Sequence, residues 1–64
     1  MNIGEYIKEE IKNQGRTQKW VAEKIEMDVN TFNRKINNDT FAADELIKIA
    51  KVLDINLNKL KEEL

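Results

Sequence analysis

Apolar residues recur every three or four positions along almost the whole chain, and this periodicity is typical of amphipathic helices. The first helix places Ile3, Ile7 and Ile11 on one face. Asn2 precedes this stripe as a residue that can cap the helix, and Gly15 follows it as one that adopts the left-handed conformation readily. The sequence therefore predicts a helix from about Asn2 to Asn13.

The stretch from Thr17 to Ile36 predicts two short helices joined by a tight turn. Thr17 is suited to cap the first, and Asp28 is suited to cap the second, which starts near Val29. Apolar residues at helical spacing mark the buried sides of both helices, with Met27 in the turn between them: Val21, Ala22, Ile25, Phe32 and Ile36.

Two further helices are predicted after a turn formed by residues 37–40, which contain no apolar side chain. Phe41 returns the chain to the core, and a helix from about Ala42 to Leu53 follows. Its predicted buried stripe is Ala43, Leu46, Ile47, Ala50 and Leu53. Asn56 can cap a fifth helix, whose apolar positions are Leu57, Leu60 and Leu64.

These elements predict an all-α fold, a compact five-helix bundle in which residues 1–64 form a single domain. The chain has no Cys and no His, which excludes thiolate zinc sites, disulfides and His-based acid–base chemistry. We therefore expect no enzyme activity, cofactor or metal. No apolar run approaches the ~20 residues of a membrane span, and the N-terminus lacks the features of a signal peptide, so we expect a cytoplasmic protein.

The outward face of the helix that starts near Val29 carries amide, hydroxyl and guanidinium groups without an acid. With Phe32 and Ile36 buried, Arg34 lies on the opposite side, flanked by Asn30, Thr31 and Asn37. Arg and Asn form bidentate hydrogen bonds with guanine and adenine in the major groove. The same face is equally compatible with plain solvation.

Charge argues against a protein that coats nucleic acid, because the net charge is −1. The basic residues are nevertheless concentrated in two segments without acids, residues 12–19 and 29–38. Trp20 is predicted to point outward between them. Two interpretations remain open for it: a surface for a partner, or a ring that lies over the side chains of Arg16 or Lys24.

Three segments together resemble the lambda-repressor-like helix-turn-helix family of phage and bacterial regulators, including the Cro-like repressors. They are TQKWVAEKI, similar to the family's scaffold helix, NTFNRKIN, similar to its recognition helix, and ELIKIAKVLDINLNKL, similar to its last two helices. The likeness covers nearly the whole chain. It departs from the family pattern at Lys35, which stands where an apolar residue is frequent, and at Glu26 and Asp54, which stand where Gly is frequent. Glu26, and similarly Asp54, would therefore hold the left-handed conformation at a cost of roughly 1 kcal/mol.

The resemblance implies a helix-turn-helix formed by the second and third helices and a set of DNA-contacting residues. Gln18 would contact DNA and brace the third helix, while Val29, Asn30, Asn33 and Arg34 would face the major groove. Four residues match the family's backbone-contacting region, where hydrogen bonds fix register without distinguishing bases: Thr31, Asn37, Asn38 and Thr40. Arg16 and Lys19, from the basic segment of residues 12–19, are further candidates for DNA contact.

These expectations favour a sequence-specific regulator of transcription from a phage or mobile element. Its partners would be double-stranded DNA and a second copy of the chain on a two-fold operator, with no membrane and no small-molecule substrate. The alternative is a protein-interaction module, antirepressor-like or antitoxin-like, that keeps the fold without specific DNA binding. The near-neutral charge and the outward Trp20 favour this alternative.

Overall fold

The computed structural model describes residues 2–56 and residue 58, which form four helices and no strand. They are α1 (Ile3–Asn13), α2 (Gln18–Lys24), α3 (Val29–Asn38) and α4 (Ala43–Leu53). The all-α prediction is confirmed, with four helices in the described part rather than five. The predicted fifth helix lies outside the described residues except at its start, where the Asn58 amide donates to the Asn56 Oδ1 over 2.8 Å. None of the described helices is long and apolar enough to cross a bilayer.

The polar residues predicted to start α1, α2 and α3 do so through their side chains. Asn2 Oδ1 accepts from the Glu5 amide over 2.8 Å, and Thr17 Oγ1 accepts from the Trp20 amide over 3.0 Å. Asp28 Oδ1 accepts from the amides of the first residues of α3, at 2.8 Å for Asn30. Each bond satisfies an amide that the helix itself leaves without a partner, so local sequence defines where α1, α2 and α3 begin.

A single apolar core joins the four helices, with Phe32 of α3 fully buried within it. The Phe41 ring, from the α3–α4 connection, packs at a tilt of 56° against Phe32, with 5.4 Å between ring centroids. The buried side chains come from every helix and from the connections: Ile3, Ile7, Ile11, Val21, Ala22, Ile25, Phe32, Ile36, Ile49, Ala50, Leu53 and Ile55.

The buried face of α4 differs from the predicted one. Ile49 is fully buried, whereas Ile47 is 44% exposed and Ala43 is exposed as well. The buried stripe consists of Ile49, Ala50 and Leu53. Since each residue advances about 100° around the helix, the centre of this stripe lies roughly 110° from Ile47. Both isoleucines fit a helical period, and the position of the neighbouring helices decided which of them is covered.

α3 is longer at its C-terminal end than predicted, since it includes Asn37 and Asn38. It ends at Asp39, whose φ of 58° is left-handed and whose amide donates to the Lys35 carbonyl. The Thr40 amide donates to the same carbonyl over 3.0 Å. Asp tolerates the left-handed conformation better than most residues, so the helix continued through both asparagines until Asp39 could terminate it.

α1 crosses α3 at unusually close range, because Gly4 faces the α3 backbone. A Cβ atom on Gly4 would lie 2.1 Å from the Ile36 carbonyl oxygen. The Gly4 amide also donates to Asp39 Oδ1 over 3.0 Å. The start of α1 is therefore held against the end of α3, and this contact fixes the orientation of α3 from the side opposite its exposed face.

Candidate nucleic-acid interface

The connection between α2 and α3 is short and well satisfied by hydrogen bonds. The Met27 amide donates to the Ala22 carbonyl over 2.8 Å, and Met27 packs partly buried against the core. Glu26 has a φ of 58°, which confirms the left-handed conformation predicted for it in place of a glycine. Such a conformation costs a non-glycine residue about 1 kcal/mol. α2 and α3 therefore form one unit with a defined mutual orientation.

α3 is anchored on one side and exposed on the other. Phe32 and Ile36 are 0% and 2% exposed, as predicted. At about 100° per residue, Asn30, Arg34 and Asn37 lie about 140–200° around the helix from Phe32, and all three are exposed. We call these three residues the outward stripe. It presents two carboxamides and one guanidinium on a helix that its buried side holds in place.

The other residues predicted to face the groove lie at the edges of α3. Val29, Thr31 and Asn33 are each half-buried, and Val29 packs against the core. Asn38 is exposed beside the outward stripe at the last turn. Of the four predicted groove-facing residues, Asn30 and Arg34 thus lie on the freely exposed side. Asn37, predicted to lie in a loop, joins them because α3 continues beyond Ile36.

Lys35 does not add to the exposed positive charge of α3. Its Nζ donates to Glu45 Oε2 over 2.6 Å, and the Ala42 amide donates to Glu45 Oε1 over 2.8 Å. The hydrogen bond from Lys35, followed by that from Ala42, lowers the pKa of Glu45. The pair joins α3 to the first turn of α4. Sequence reasoning identified Lys35 as unusual but missed its partner, which lies ten residues further along the chain and across a turn.

At the start of α2, the predicted contact residues differ in how freely they are exposed. Gln18 is half-buried, while Arg16 and Lys19 are exposed. The Arg16 guanidinium carbon lies 4.4 Å from the centroid of the Trp20 ring, and the Lys24 Nζ lies 5.6 Å from it. Of the two interpretations of Trp20, contact with these neighbouring side chains is therefore observed.

Acidic side chains lie to one side of α3. Glu26, Asp28 and Asp44 line an open cleft of about 350 Å³ between the α2–α3 connection and the start of α4. Within the described part of the chain, no group of three or more side chains is arranged to hold a metal ion. Thr31, one of the residues predicted to contact the DNA backbone, and the cation Lys48 line the same cleft.

No protein-family model, curated protein or solved structure compared with this chain matches it. The resemblance seen in the three sequence segments is thus supported by those segments alone.

Proposed function

We propose that the protein is a sequence-specific, double-stranded DNA-binding regulator of transcription, repressor-like in type, with α3 lying in the major groove. The outward stripe carries this proposal. Asn30, Arg34 and Asn37 project without an acid among them from a helix whose opposite side is fully buried. A helix of this width fits the major groove of B-form DNA.

The chemistry of the stripe matches base edges. The guanidinium of Arg34 can donate to O6 and N7 of guanine, and the carboxamides of Asn30 and Asn37 can each pair with N6 and N7 of adenine. These residues span about 10 Å along the helix, which corresponds to roughly three base-pair steps. A single copy would therefore specify only a short site.

Contacts to phosphates would position the helix. The candidates for these contacts are Gln18 and Lys19 at the start of α2, and Thr31 and Asn38 in the first and last turns of α3. These contacts include little positive charge, and the net charge of the chain is −1. Because non-specific affinity depends on how many phosphates are neutralised, it should be weak. We therefore propose a homodimer on two half-sites about one helical turn apart, and no catalytic role.

Selection of bound duplexes from a random library, followed by titration of the selected duplex, tests this proposal. The expected consensus is palindromic. Arg34→Ala should reduce discrimination at one base position by about 1–3 kcal/mol. Arg34→Lys keeps the charge but not the planar pair of donors, so it should lose that discrimination while retaining the salt dependence of binding. Arg34 forms no ion pair with a described residue, so neither change should disturb the fold.

Lys19→Ala provides the matched control, since it removes one exposed charge from α2 rather than from the outward stripe. It should weaken binding to all duplexes alike. Absence of any sequence preference, with no salt dependence at low ionic strength, would overturn the proposal. That result would favour the protein-interaction module instead.

A further inference from the structure

Trp20 brings two cations together on the exposed side of α2. Lys24 lies one helical turn after Trp20 on α2, whereas Arg16 lies in the connection before the N-cap Thr17 and reaches the ring from outside the helix. Both cations contact the same ring, at 4.4 Å for Arg16 and 5.6 Å for Lys24. Their charges consequently lie within about 10 Å of each other.

Among residues 2–56 and 58, neither cation forms an ion pair with a carboxylate; the ion pair in this part of the chain joins Lys35 to Glu45. Two like charges held at this distance repel each other, and the negative face of the ring compensates them only in part. An external anion would remove that repulsion. If the ring served only to cover the core, no such pair of unneutralised charges would be required.

The partner that fits is the sugar–phosphate backbone of the same duplex. Phosphates repeat at short intervals along each strand, so two cations within 10 Å can each contact one of two nearby phosphates. α2 is joined to α3 by the short connection containing Glu26 and Met27, so Trp20 and Lys24 lie on a helix whose orientation to α3 is fixed. Arg contacts phosphate well because its planar donors match the anion.

We infer that Trp20 is a positioning residue, which holds Arg16 and Lys24 in place to contact two phosphates beside the site occupied by α3. This inference rests on the proposed function and extends it, because it assigns Trp20 and Lys24 to the DNA interface. Pre-ordering of the two long side chains by the ring reduces the conformational entropy that they lose on binding.

Salt titrations of duplex binding test the two cations separately from the ring. Arg16→Gln and Lys24→Gln should each reduce the slope of log K against log salt by about 0.9, or about eightfold in affinity near 0.1 M salt. Lys8→Gln on α1 removes the same charge and should leave the slope unchanged. Trp20→Ala should leave the slope unchanged but weaken binding about two- to fivefold, the range expected for exposed cation–π contacts.

A double-mutant comparison distinguishes positioning from a merely structural role. Trp20→Ala in the background that carries both Arg16→Gln and Lys24→Gln should cause no further loss of affinity. Trp20→Phe keeps an aromatic ring against the core, so it should fold and retain part of the affinity that Trp20→Ala loses. An equal loss in both backgrounds would overturn the inference.

The outcomes also separate this inference from the proposed function. Sequence-specific binding by the unaltered protein, with unchanged slopes in Arg16→Gln and Lys24→Gln, would overturn the inference alone. Binding without sequence preference, with both slopes reduced, would support the phosphate contacts and overturn the sequence-specific function. No binding to any duplex would overturn both.

Discussion

Replacement of Gly4 by Ala should destabilise the protein strongly, although Ala is the better helix former. A Cβ on Gly4 would lie 2.1 Å from the Ile36 carbonyl oxygen, whereas ordinary van der Waals contact begins at 3.4 Å. α1 and α3 would have to separate by about 1.3 Å along this line. The obstacle is backbone within a helix, which cannot rotate away as a side chain can.

The expected cost follows from three contributions. Overpacking costs about 1–3 kcal/mol, and the separation also weakens the hydrogen bond from the Gly4 amide to Asp39, worth about 1.5–3 kcal/mol when the acceptor is charged. Helix propensity offsets at most about 1 kcal/mol. The net loss should be about 1.5–5 kcal/mol, comparable with the ~3–5 kcal/mol that a core of this size supplies.

Urea and thermal unfolding followed by circular dichroism would measure this loss. For a domain of this size, each kcal/mol of this loss corresponds to a fall in Tm of roughly 4–8 °C. Gly15→Ala is the matched control, because Gly15 has a φ of +68° but no atom within 4 Å of a built Cβ. It should cost only about 1 kcal/mol, from the left-handed conformation. A Gly4→Ala protein as stable as the unaltered one would refute the steric reasoning.

Three further comparisons of variants test the contacts between helices. Because the pKa of Glu45 is lowered in the folded protein, its stabilising effect should be present above the ordinary value of about 4.3 and disappear as the pH falls through the lowered pKa. Across this pH range, the free energy of unfolding of Glu45→Gln should therefore change by about 0.5–1 kcal/mol less than that of the unaltered protein. The same result is expected for Lys35→Met. Asp39→Ala should cost about 2.5 kcal/mol in urea unfolding, about 1.5 from loss of the bond to the α1 amide and about 1 from placing Ala in a left-handed conformation. Asp39→Asn retains an acceptor and tolerates that conformation. Ile49→Val should cost about 1 kcal/mol, and Ile47→Val less than about 0.5 kcal/mol, because only the former is buried.

Each of these tests has an outcome that contradicts the structure. An unchanged pH dependence in Glu45→Gln would mean that its ion pair does not form in solution. Equal stabilities of the Asp39→Ala and Asp39→Asn proteins would show that the carboxylate does not hold α1. A larger loss in Ile47→Val than in Ile49→Val would place the other face of α4 in the core.

Local sequence determined most of the helix boundaries and turns, because the interactions involved reach only three or four residues. Asn2, Thr17 and Asp28 cap the amides that immediately follow them, and these caps were predictable from residue type and spacing. The left-handed conformations at Glu26 and Asp54 are also local and were predicted correctly from the resemblance. For the same reason, Phe32 and Ile36 were identified as the buried side of α3.

The tertiary structure decided which faces and pairs the helices present to one another. The helical period admits both Ile47 and Ile49 to the core, and only the position of the other helices selects Ile49. The Lys35–Glu45 pair and the close approach of Gly4 to Ile36 join residues 10 and 32 positions apart, a separation at which no local spacing rule applies. In the candidate interface, the helical period of α3 with Phe32 and Ile36 buried already predicted that Asn30, Arg34 and Asn37 face outward. Only the packing of α3 against its neighbours decided that Val29, Thr31 and Asn33 are half-buried, because how far the flanks of a helix are covered depends on the elements beside it.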